Sequence, residues 1–216
     1  NATTSGTSSL KNYFIEASYG SLTVNSTFYP LSEGTTVVSY QDSHPRNYYM
    51  PYSSTNTIGY VNDGGEREQQ MLANCINAIK AQVPTTLNID KNSDGNVDNV
   101  CFIVKGSSST WGSVLWPHMW ALYMQNATIN GKRVWGYNFQ FSSWILPSGV
   151  GVLAHEMIHT LGAPDFYHYE GGYADPAGSW EVMCGSANPP QHPTAYVKQK
   201  YRSEEHTSEL QSRQSI

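Results

Sequence analysis

Charge is scarce in this sequence: Asp, Glu, Lys and Arg together make up 13% of its 216 residues, 12 basic against 17 acidic, for a formal net charge of −5. Soluble domains ordinarily carry about 25%. No basic cluster stands out, which excludes nucleic acid as a partner, because phosphate binding needs several Lys or Arg on one face. Long apolar runs are missing too. The longest, at 100–104 and 149–154, fall far short of the roughly 18 residues that a bilayer span requires. Cysteine is sparse and odd in number, with Cys75, Cys101 and Cys184, so no disulfide framework can be read. The start shows neither a basic n-region nor an apolar h-region.

What is present is uncharged polarity and aromaticity. Ser, Thr and Asn dominate, beside 18 Gly, 15 Tyr and 6 Trp, enough core and turn material to fold despite a mean hydropathy of −0.46. Such a texture is that of exported proteins, and the expectation is a secreted chain whose leader lies elsewhere. One domain is expected over residues 1–201, cut short at both ends. The texture breaks at Arg202, where RSEEHTSELQSRQSI begins. That string resembles the translation of a sequencing adapter, and residues 202–216 are set aside as a non-native tail.

Pattern predicts strands at 13–17 and 22–28 around the Gly20 turn, and another at 35–40. Residues 42–65, rich in Tyr, Ser, Asn and Pro, read as irregular. Apolar residues at Met71, Leu72, Cys75, Ile76 and Ile79 form the stripe of a helix over 66–82. Strands follow at 100–105 and 134–141, and a second helix at 149–161. The fold class is α+β.

The chemistry concentrates in GVGVLAHEMIHTLGAPD. His155 and His159 stand four apart, one turn of a helix, so both imidazoles face one ion with Glu156 beside them. Gly162 can take the positive φ that ends a helix and returns the chain, bringing Asp165 back toward the histidines. Two imidazoles and one carboxylate leave a coordination position for water, the open arrangement of a catalytic zinc. Glu181 is a rival third ligand, a carboxylate supplied from well beyond H-E-x-x-H. Asp90, Asn92, Asp94, Asn96 and Asp98 alternate with Gly95 after the third, the opening of a calcium loop. Position 12 is Cys101 and a strand follows, so a complete EF-hand is not expected; an Asx-rich turn is the rival reading. His118, in LWPHMW, has no role that spacing assigns.

HEMIHTLGAPDFY followed by GSWEVMCG and PPQHPTAYVKQKY resembles the immune inhibitor A-like metallopeptidase family. KNYFIEASYGSLTV, NIDKNSDGNVDNVCFIV and LWPHMW are similar to its upstream segments. The resemblance covers most of residues 10–201. Ile158 and Glu181 depart from it, standing where Gly and Asp are common. It implies a metzincin-like fold: a twisted mixed sheet, a zinc-binding helix, and Met183 in a turn beneath the metal. It also implies an upper subdomain to about residue 162 and a lower one over 163–201. The expected activity is that of a secreted zinc endopeptidase acting on proteins or peptides, with Glu156 as general base; a silent extracellular binding module on the same fold is the alternative.

Overall fold

The structure, a computed structural model, describes residues 8–62, 65–106 and 115–201. The expected tail at 202–216 lies outside them. The described residues divide into two compact units, one built from those within 8–26 and 142–201 and the other from those within 27–141, and each has its own apolar core.

In the 27–141 unit the core forms where one helix meets one sheet. Helix α2 (Glu66–Ile79) buries Met71, Leu72, Ala73, Ile76 and Ile79 along one stripe, and a 3-10 turn (Lys80–Gln82) closes it before Pro84. Three strands make a mixed sheet in the order β1-β5-β2. Strand β1 (Val100–Val104) runs parallel to β5 (Gly136–Phe141), with Val100 opposite Tyr137 and Val104 opposite Phe141. Strand β2 (His118–Ala121) is antiparallel to β5, with His118 opposite Phe139. Alternation along β5 sends Tyr137, Phe139 and Phe141 into the core with Leu72 and Ile76, each such side chain contributing about 1.5–3 kcal/mol by leaving water.

A hairpin the sequence reading did not anticipate joins β3 (Thr128–Ile129) to β4 (Lys132–Arg133). Its signal was in plain view: Asn130-Gly131 turns with φ of 50° and 79°, the pairing that two-residue hairpin loops favour.

In the other unit, α1 (Leu10–Ala17), α3 (Ser142–Ser148), α4 (Gly151–Thr160) and α5 (Ala195–Tyr201) are all helices. The expected strand at 13–17 is therefore corrected to helix. Ser9 caps it, its Oγ accepting from the backbone N–H of Asn12 at 3.2 Å, and Tyr13, Phe14 and Ala17 fall on one buried face. The cap and the core outweigh the β preference of Tyr, Phe and Ile. Residues 22–28 join no strand ladder, and in place of a strand at 35–40 there is one bridge, Glu33 to Thr36. Val37 is 87% exposed, so that segment has no buried face to hold a ladder together. Alpha1, α4 and α5 share a core of Phe14, Ala17, Ala154, Ile158, Val182, Met183 and Val197.

Candidate metal centre

Helix α4 carries His155, Glu156 and His159. It stops at Leu161, and Gly162 reverses the chain with a φ of 98°. There its N–H donates to the carbonyl of His159 at 2.8 Å, and that of Ala163 to Ile158 at 3.3 Å. A side chain with a Cβ is strained in this conformation. The reversal does two things. It brings Asp165 back to the histidines, and it turns the carbonyl of Ala163 toward the ring of His159, whose Nδ1 lies 2.7 Å from it.

His155 is oriented the same way from further off. Its Nδ1 lies 2.8 Å from the carbonyl of Val182. A carbonyl only accepts, so both rings carry a proton at Nδ1. In the neutral rings both Nε2 atoms are then bare acceptors. They lie 3.1 Å apart, and Oδ1 of Asp165 sits 2.9 Å from one and 3.2 Å from the other. Three lone pairs converge with no proton between them, and Oδ1 is buried without a hydrogen-bond partner.

Only two things relieve that repulsion: an added proton, which makes an ion pair, or a cation. The electrostatics register the first of these. Burial pushes Asp165 up, but contacts with His155, His159 and Tyr169 outweigh it and hold the carboxyl well below the usual range. Burial pulls His155 down, yet Asp165, the Val182 carbonyl and the charge of Glu156 raise it above the ordinary imidazole value. Among the described residues, His155, His159 and Asp165 form the single group of three or more His, Cys, Asp or Glu side chains with ligand atoms all within 4.8 Å of one another. Two nitrogens and a carboxylate oxygen, each nitrogen backed by a carbonyl at its other side, are a donor set that suits zinc.

Glu156 is buried, 6% exposed, and its charge is felt by His155, Tyr167 and Tyr169. Glu181 is fully buried, but its oxygens face backbone: Oε2 accepts from the N–H of Met183 at 2.5 Å and Oε1 from that of Thr194 at 3.3 Å. It ties down the turn at 181–184 rather than joining the cluster. Met183 is wholly buried in the core with Ala154 and Ile158.

Loop 90–98 is closed by its own hydrogen bonds. Asp90 accepts from the N–H of Asp94 at 3.0 Å and of Gly95 at 3.1 Å, Asp94 from Asn96 at 2.7 Å, and Asp98 from Lys91 at 3.1 Å. Asn92 Nδ2 donates to Asp94 at 3.0 Å. A cation is already there: Lys132 Nζ lies 2.7 Å from Asp90 Oδ2, and the loop docks on β4 through an Asn96–Arg133 bridge. These are the hydrogen bonds of an Asx-rich turn. His118 is buried in the 27–141 unit, with Nε2 3.0 Å from Glu68 Oε1, an oxygen that also accepts from the Tyr137 hydroxyl at 2.7 Å.

Sequence reasoning passed over two residues. Tyr169 donates its hydroxyl to Oδ2 of Asp165, and the ring of Tyr167 stacks on that of His155 at 6.4 Å and 21°. Their only signal was aromaticity just after the motif, which in a chain with 15 Tyr carries little weight.

No protein-family model matches the chain. Among curated proteins it is similar to Immune inhibitor A of Bacillus thuringiensis subsp. alesti, 28% identical over 205 residues, covering 81% of this chain. The chain spans about a quarter of the length of that relative, 28% of it.

Proposed function

We propose that this chain carries the catalytic centre of a secreted zinc-dependent endopeptidase of metzincin-like fold, acting on proteins or peptides. The convergence of three lone pairs from His155, His159 and Asp165 is the observation that supports it most. When bound there, zinc would supply a Lewis acid that polarises a peptide carbonyl and acidifies a water.

The chain's own residues do the rest. Val182 and Ala163 hold the two rings by Nδ1, so that both Nε2 atoms stay aimed at one point. Glu156, next to His155 on the same helix, takes a proton from the attacking water on its carboxylate and passes it to the leaving amine. The turn at 181–184, with Met183 in the core below, plays the part of a methionine turn. The uncharged polar composition supports an extracellular setting.

Metal analysis together with casein hydrolysis tests the reading on the full chain. One equivalent of zinc and chelator-sensitive cleavage are expected. Absence of zinc after loading would overturn the metal centre, and zinc without cleavage would overturn the peptidase.

A further inference from the structure

The two oxygens of Asp165 are not equivalent. Oδ1 lies 2.9 and 3.2 Å from the imidazole nitrogens, while Oδ2 accepts the hydroxyl of Tyr169. A carboxylate can bind an ion through one oxygen or both, and only the first leaves a four-coordinate zinc with a place for water.

We propose that Tyr169 is a positioning residue for this centre: its phenol occupies Oδ2 and so confines Asp165 to one-oxygen binding through Oδ1. The inference rests on the metal reading above and deepens it. Tyr169 is itself held in place, its ring packing edge-on against Tyr167 at 5.1 Å and 70°, and Tyr167 in turn stacks on His155 at 6.4 Å. One aromatic pair thus braces an imidazole and fixes a carboxylate. Partners that orient a metal ligand from behind set both affinity and geometry. The Tyr169 ring is 78% exposed, so its loss does not threaten the fold. That exposure separates positioning from plain stabilisation.

The test uses the full chain with cobalt(II) in place of zinc, because four-coordinate cobalt absorbs visible light several-fold more strongly than five- or six-coordinate cobalt. Wild type should take up one equivalent with intense absorption. Tyr169→Phe should bind the same amount with several-fold weaker absorption, as Oδ2 becomes free to bind. Its affinity against a competing chelator should fall about tenfold. Tyr173→Phe is the control, since Tyr173 is equally exposed but packs on His168 at 5.6 Å; it should match wild type. A Tyr169→Phe spectrum and affinity identical to wild type would overturn the role of Tyr169 and leave the metal centre standing. Wild type that binds no cobalt would overturn both.

Discussion

His155 and Val182 are joined by a contact of 2.8 Å from imidazole Nδ1 to a backbone carbonyl, across 27 positions of sequence. That contact fixes the ring's tautomer and its direction, and the carbonyl is held in turn by the turn around Met183. Packing beneath the turn should therefore be felt at the metal. Met183→Ala, at a wholly buried site, is expected to cost about 2–5 kcal/mol. Urea unfolding would measure that loss, and a chelator titration should show zinc affinity falling with it.

The two candidate carboxylates part company on substitution. Asp165→Ala and His159→Ala should each abolish stoichiometric zinc by elemental analysis. Glu181→Ala should keep one zinc but lower the melting temperature, because the N–H groups of Met183 and Thr194 lose their acceptor. The reverse pattern would make Glu181 the ligand.

Glu156→Gln preserves size and hydrogen-bonding reach while removing a base. Zinc content and melting temperature should hold, and casein hydrolysis should drop by about 10²- to 10⁴-fold. A variant as fast as wild type would remove Glu156 from the mechanism.

At loop 90–98 the ammonium of Lys132 lies against Asp90. It is the chief influence holding Asp90 below the ordinary carboxylate range. Calcium titration should leave the wild-type melting curve in place, whereas Lys132→Met should lower it. A clear calcium-dependent rise in wild type would restore the calcium reading.

Acid sensitivity should show at Asp42. Burial pushes its carboxyl up, but donors from Tyr49, His44 and Tyr40 outweigh it and hold it below its usual value. A depressed carboxyl stabilises the fold fully above its unfolded value, near pH 4, and that contribution is lost as pH falls through the folded value. The stability gap between wild type and Asp42→Asn should be constant above about pH 5 and shrink below pH 4. A gap independent of pH would exclude the effect.

The sequence by itself determined the elements whose signal is local. The helix expected over 66–82 and found at 66–79 followed from a stripe of apolar side chains, the strand expected at 100–105 and found at 100–104 from an apolar run of strand length, and the pairing of His155 with His159 from the pitch of a helix. Gly162 was legible for the same reason, since a glycine just past the last helical turn takes the positive φ that reverses the chain and sends Asp165 back. Tertiary structure decided whatever depended on distant partners. Tyr13, Phe14 and Ala17 became helical because the core beneath α4 and α5 needed one face of them, which no local β preference reveals. Glu181 faces the backbone N–H groups of Met183 and Thr194 while Asp165 lies beside the two imidazoles, and a hairpin 42 positions after Asp90 places the ammonium of Lys132 against the acidic loop. The fixing of His155 by Val182 and of Asp165 by Tyr169 was equally invisible. A ligand's identity is carried by its side chain, but its orientation comes from groups that the folded chain brings to it.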